Sequence, residues 1–335
     1  MHKNILTVVG IIILFLGTCI NPSVAIDNVK KLSMPISDGN TLYVGGTGEG
    51  NYTRIQDAIN NASDGDTVFI FDDSSPYYEN LTVNKSINLI GEDKKTTVID
   101  SRGKFTTVKV CVDWVNFSGF STKYAEGCGI YIHSNHNTII NNIISTKRSG
   151  TKSPDGIYLD KSYNNSILAN SIVNNQNGIT LLYSDKNIIM DNTITSNGVY
   201  GIELGHSNFN TIIGNNISSN WMRGFFMYGT EKNTITGNNI KRNGWYGIQL
   251  EVFNFDNIIH KNNFIDNGEN AYFVCNLFQK HKNNWYGNYW SDYNINSSFP
   301  KIIKGRLRVI DLVLFYLPTF AFDWHPVKEP YNIEV

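Results

Sequence analysis

The sequence is short of the residues that mark several common classes of protein. It holds four cysteines in 335 residues, and one of them, Cys19, lies inside an N-terminal apolar run. The other three, Cys111, Cys128 and Cys275, have irregular spacing, so neither a disulfide framework nor a CxxC metal site follows. As lone thiols they are expected to be buried small hydrophobes. Charged residues make up only 17% and the net charge is −1. Without a basic surplus the chain has nothing to neutralise a phosphate backbone, which excludes nucleic acid as an expected partner. Beyond the N-terminus no apolar run is long enough to span a bilayer as a helix, since Leu312 to Phe322 is short and interrupted by Pro318.

The N-terminus reads as an export signal over residues 1–25. Lys3 supplies the positive start, Ile5 to Ile20 the apolar stretch, and Ser23-Val24-Ala25 the small residues of a cleavage site. A polar linker follows over residues 26–40. The expected location is secreted or at the cell surface, in an extracellular or periplasm-like space. Retention of the segment as an uncleaved membrane anchor is the alternative.

What the chain has in abundance is Asn, about one residue in seven, and a repeat. Gly178-Ile179-Thr180-Leu181, Gly201-Ile202-Glu203-Leu204, Gly224-Phe225-Phe226-Met227 and Gly247-Ile248-Gln249-Leu250 recur every 23 residues. Each is followed by three Asn positions, as in Asn210, Asn215 and Asn220, with short apolar runs between them. Units of this length bury a core only by stacking. The expected fold is all-β, a right-handed parallel β-helix over residues 41–293. Alternation points Ile202 and Leu204 inward and Glu203 outward. Asn suits the turns because it tolerates the left-handed conformation. Asn192, Asn215, Asn238 and Asn262 share one phase and are expected to form a side-chain ladder.

The ends differ from the repeat. Ile55, Ala58, Ile59 and Ala62 recur at helical spacing, which predicts a capping helix near 53–63 with Thr53 as its N-cap. The coil starting at Gly129 runs 27 residues to Gly156, and the surplus falls on a loop at Lys147 to Pro154. The last coil starts at Ala271, and residues 294–335 are expected to cap the far end.

At this point the sequence resembles the right-handed β-helix proteins of the NosD-like group, described as periplasmic copper-binding or as carbohydrate-binding and sugar-hydrolysis proteins. Three parts carry the resemblance: Tyr52-Thr53-Arg54-Ile55-Gln56-Asp57-Ala58-Ile59 with Asp64-Gly65-Asp66-Thr67-Val68, the Asn-x-Ile-x-x-Asn coils, and Asn284-Trp285-Tyr286-Gly287-Asn288-Tyr289-Trp290-Ser291-Asp292. The ending at Phe322-Asp323-Trp324-His325-Pro326 departs from the Asp/Gly-rich close of many members. The resemblance implies a pectin-lyase-like solenoid and leaves activity open. A carbohydrate-binding protein, a polysaccharide lyase or glycoside hydrolase, an accessory factor for copper-site maturation, and a structural envelope protein or adhesin all remain in view.

Stacking turns repeat phase into geometry. Two residues after each coil Gly the chain reads Tyr131, Tyr158, Thr180, Glu203, Phe226 and Gln249. Four after, it reads His133, Asp160, Leu182, Gly205, Tyr228 and Glu251. Flat rings and polar groups along a rigid face suit sugar rings, with carboxylates to accept hydroxyl hydrogen bonds; outward rings also suit strands for packing alone. One residue before the Gly, Tyr200, Arg223 and Tyr246 fall in line, an arginine between two rings. The candidate ligand face is therefore Tyr131, Tyr158, Asp160, Tyr200, Glu203, Arg223, Phe226, Tyr228 and Tyr246. Glycoside hydrolysis needs two carboxyls flanking the bond, and no two occupy the same outward phase in adjacent coils. Asp185 and Glu231 share a phase two coils apart but read as turn pairs with Lys186 and Lys232. His133, Asp160 and His136 could make only a weak metal site, and His260, His281 and His325 are scattered. No cofactor and no metal are expected, and carbohydrate is the expected partner.

Overall fold

The computed structural model describes residues 39–146, 154–276, 282–294, 296–310 and 315–335. The export signal, nearly all of the linker, most of the Lys147–Pro154 loop and His281 lie outside the described residues. The chain winds as a right-handed parallel β-helix. One coil shows the plan. Its first strand is Tyr200–Gly205, its second Thr211–Ile213 and its third Asn216–Ser218. Each pairs in parallel with its equivalent in the next coil, Ile202 with Phe225, Ile212 with Ile235 and Ile217 with Ile240. Those six side chains are fully buried. Stacking is what removes each coil's apolar residues from water.

Two sequence features acquire physical causes. The repeated Gly is there for close approach. A Cβ on Gly201 would lie 2.6 Å from the Ile217 side chain and 2.7 Å from the Gly224 carbonyl oxygen, contacts that no real Cβ makes. The Asn residues are mostly not the left-handed turn residues expected from the sequence. The turns are left-handed, but the residues in them are various, as at Lys186, Asp191, Ser196, Phe209, Gly214 and Ser219. The Asn follows directly after, buried, and there are three ladders. They run through Asn187–Asn210–Asn233, Asn192–Asn215–Asn238 and Asn197–Asn220–Asn243. Asn215 Oδ1 accepts from the backbone N–H and side-chain amide of Asn192 at 2.9 and 3.0 Å. Its own amide donates to the Ile189 and Ile213 carbonyls and to Asn238 Oδ1. The ladders thus satisfy the corner backbone groups that β pairing leaves open. A fourth corner does the same with hydroxyls, Ser162 to Ser184 to Ser207.

The ends differ in detail from expectation. The helix is Ile55–Asn61, preceded by Arg54 with no side-chain cap. Thr53 is not the cap. The carboxylate of Glu79 accepts from the Ile55 and Gln56 N–H groups at 2.8 and 3.1 Å, so a residue from the first coil caps the helix that covers it. Ile55, Ala58 and Ile59 close the core. At the other end strands Lys301–Ile310 and Phe315–Asp323 pair antiparallel, and the first continues the sheet from Glu269–Asn276. The cysteines also depart from expectation: Cys111 is exposed, and Cys128 and Cys275 are only partly buried.

Candidate functional site

The outward face of the first strands gathers the chemistry. Parallel register aligns Tyr131, Tyr158, Thr180, Glu203, Phe226 and Gln249 in one row along the solenoid. At one end the rings of Tyr131 and Tyr158 stack, 5.8 Å apart and 10° from parallel. Tyr131 donates its hydroxyl to Asp160 Oδ2 at 2.9 Å, and His133 Nδ1 lies 3.6 Å from the same oxygen. Burial pushes both tyrosines up to about 12, with Asp160 adding to the shift, so both rings present neutral hydroxyls.

At the other end Arg223 is set among rings. Its guanidinium carbon lies 5.2 Å from the Tyr200 ring centre, 5.0 Å from Phe226, 5.3 Å from Trp245 and 5.9 Å from Tyr246. It also donates to the Tyr200 hydroxyl at 3.2 Å and to the Gln249 side-chain oxygen. Phe226 packs on Tyr200 at 4.8 Å and leans on Tyr228 at 5.6 Å. Tyr228 folds back over Gly205, whose missing side chain makes the room. The sequence-predicted face is thus one continuous strip with two clusters, Tyr131, Tyr158 and Asp160 in one, and Tyr200, Arg223, Phe226, Tyr228 and Tyr246 in the other.

Between the clusters lies a group that repeat phase did not assemble. Asp155 stands one residue before its coil Gly, and Glu203 two residues after its own. Asp155 accepts from the Thr180 hydroxyl at 2.8 Å and the Asn177 N–H at 3.2 Å. The Asn177 amide donates to Glu203 Oε2 at 2.9 Å and to the Thr180 hydroxyl at 3.3 Å. Two carboxyls from alternate coils therefore meet on one neutral bridge. Burial and then the Asp155 charge push Glu203 up to about 7. Burial also raises Asp155, against the lowering effect of the hydrogen bonds from Thr180 and Asn177. Both carboxyls are therefore held closer to their protonated form than a solvated carboxylate is. The signal for Asp155 and Asn177 was present in the sequence: they occupy the row of Tyr200, Arg223 and Tyr246. Searching single rows for paired carboxyls missed them because the pair spans two rows.

Other polar groups have structural roles. Asp185 accepts from the Asn208 N–H at 2.7 Å, and Glu231 pairs with Lys232 at 3.9 Å. Two concavities of about 540 and 520 Å³ lie at the C-terminal end. The first holds the Asp292–Lys301 ion pair at 2.6 Å, and the second is lined largely by apolar groups such as Phe273, Trp285, Phe320 and Phe322. The first is also lined by Asp266 and Glu269, of which Glu269 lies 3.9 Å from Lys304.

Residues 59–295 match the family model for the periplasmic copper-binding protein (NosD). No curated protein matches the sequence. Among solved structures, pectate lyase Pel9A is similar with a TM-score of 0.53 and 16% identity, over 72% of this chain and 76% of that one. The enzymatically active domain of bacteriophage CBA120 tailspike protein 2 is similar at 0.55 and 13%, over 75% and 43%. The ORF18 protein of Geobacillus virus E2 is similar at 0.54 and 12%, over 84% and 62%. At these identities the likeness is one of fold. The family description implies copper, and the described residues do not fit it. Among them no three His, Cys, Asp or Glu side chains converge.

Proposed function

The chain belongs to the NosD family, a periplasmic family of β-helix proteins, and from that premise we propose that it works outside the cytoplasm and binds carbohydrate along the outward face of its first strands. The observation that carries this reading is the strip itself. Parallel rings at Tyr131 and Tyr158, and a second ring cluster around Phe226, flank hydrogen-bonding carboxyls on a rigid sheet. Successive coils advance by about 4.8 Å, close to the length of one pyranose unit, so an extended glycan can keep step with the rows. The rings supply apolar surface along the strip, and Asp160, Glu203 and Arg223 meet the hydroxyls or acidic groups of the sugar.

Calorimetric titration with polygalacturonate, alginate, β-1,4-mannan, xylan and chitosan tests the reading. A stacked ring contributes about 1 kcal/mol. The double variant Tyr158→Ala with Phe226→Ala should therefore lose roughly 30-fold in affinity for any polymer that binds. Phe209→Ala, an exposed ring in a left-handed turn between the first and second strands of its coil (45% exposed), should change nothing. Unaltered affinity in the double variant would remove the site.

A further inference from the structure

We infer that Asp155 and Glu203 are an acid–base pair that hydrolyses a glycosidic bond lying across Thr180 and Asn177. This rests on the carbohydrate reading of the same strip and adds a reaction to it.

The placement argues for chemistry. Among the described residues neither carboxyl has a Lys, Arg or His within ion-pair distance. Their partners are a hydroxyl and amide groups that hold them side by side. The register does not call for a carboxyl at Glu203, because Tyr131, Tyr158, Thr180, Phe226 and Gln249 fill the same row without charge; Asp155 stands in the neighbouring row of Tyr200, Arg223 and Tyr246. Bringing such groups out of water is costly unless they are paired with a cation. The two strands stand two coils apart, roughly 9.6 Å, and both side chains lean toward the bridge between them. The step requires a separation of about 6.5–9.5 Å, which leaves room for a water on the far side of the sugar. Ring clusters lie on both sides of the pair, so sugars are held before and after the bond to be cut, as endo-cleavage of a long chain requires. Glu203, held up to about 7, still carries its proton in about half of the molecules at neutral pH, as a general acid requires.

The step balances with water as co-reactant. Glu203 passes its proton to the glycosidic oxygen as the bond from that oxygen to the anomeric carbon breaks. Asp155 takes a proton from the water whose oxygen forms the new bond to that carbon from the opposite face. The products are a hemiacetal of inverted configuration and a free hydroxyl. Solvent then returns a proton to Glu203 and removes the one on Asp155.

The test uses the full chain with the five polymers named above. Reducing ends, ultraviolet absorbance of unsaturated ends and the anomeric configuration of new ends by proton NMR are followed together with calorimetric affinity. The inference expects reducing ends without unsaturation, inverted anomers, and a rate that falls above about pH 7 as Glu203 ionises. Glu203→Gln and Asp155→Asn should each slow turnover at least 100-fold while affinity stays within about threefold of the parent, which also shows that both variants fold. Glu231→Gln, in a surface turn, should leave the rate unaltered. A polymer that binds but yields no reducing ends, unsaturated ends from any polymer, or either variant within tenfold of the parent rate overturns the acid–base pair and leaves the binding reading standing. Binding of none of the five polymers overturns both.

Discussion

The Asn ladder through the second corner ends on an aspartate, and the change of residue type makes a sharp prediction. Every interior rung both accepts and donates, as Asn262 does toward Asn288 and the Ile235 carbonyl. The last rung, Asp323, is fully buried and only accepts. Its Oδ2 takes the N–H and side-chain amide of Asn288 and the Trp290 indole N–H, each at 3.0 Å; its Oδ1 takes the Gly287 and His325 N–H groups at 3.1 Å. Asp323→Asn preserves shape but turns one oxygen into a second donor. If the amide oxygen keeps the three-bond side, the Gly287 and His325 N–H groups face an NH₂. A hydrogen bond to a charged group contributes about 1.5–3 kcal/mol, and a stranded buried donor costs about 1–3 kcal/mol. The net cost should be about 3 kcal/mol, confined to the C-terminal end because coils couple mainly to their neighbours. Hydrogen exchange of the Gly287 and Asn288 amides should accelerate about 100-fold, while the Asn215 amide stays protected. Acceleration below threefold at both sites would show that the aspartate does not hold the cap.

Further predictions concern the solenoid and the strip. Asn215→Ala strands the Asn192 N–H and frees the Ile189 carbonyl and Asn238 side chain, so urea unfolding should show a loss of about 3–5 kcal/mol; a loss under 1 kcal/mol would mean that the ladder contributes little beyond shape. Gly224→Ala would bring a Cβ to 2.5 Å from the Gly247 carbonyl and 3.0 Å from the Ile240 side chain, and should lower stability by about 1–3 kcal/mol, visible in the same unfolding curves. Glu203 ionises at 4.5 in the ordinary case and at about 7 when folded, so the folded chain holds the extra proton between those values. Its contribution to stability is complete below about pH 4.5 and is lost as pH rises to about 7. Glu203→Gln should therefore flatten the fall in stability over that window by about 2–3 kcal/mol. Asp191, pushed by burial in the same direction to about 7, leaves a residual slope in the variant, and an identical slope in parent and variant would contradict the burial of Glu203.

Much of this protein was legible in its residues because a solenoid translates sequence period directly into space. The 23-residue return of Gly and Asn determined the parallel coils, and alternation determined that Ile202, Phe225 and Ile248 stack inward, where they are fully buried. The same phases put Tyr131, Tyr158, Glu203 and Phe226 in one outward row. The Asn ladder at Asn192, Asn215 and Asn238 was equally readable, although two more ladders flank it, and the turn conformation falls on the residue before each Asn.

Tertiary structure alone decided matters that depend on how far a side chain reaches, which no period encodes. Glu203 crosses one coil to the Asn177 amide because the residue between, Thr180, is short and leaves its hydroxyl as part of the bridge; a Tyr or Phe at that step would have kept Glu203 and Asp155 apart. Glu79 caps a helix more than 20 residues before it in the chain, displacing the local candidate Thr53, because the first coil brings its carboxylate to the open N–H groups. Asp323, in the segment that breaks the repeat, becomes the last rung because the hairpin sets it over Trp285 and beside Asn288. The repeat specifies a backbone path and an inward or outward sense for each residue. Contacts between rows, and contacts made by segments outside the repeat, follow from side-chain length and from what occupies the neighbouring coil.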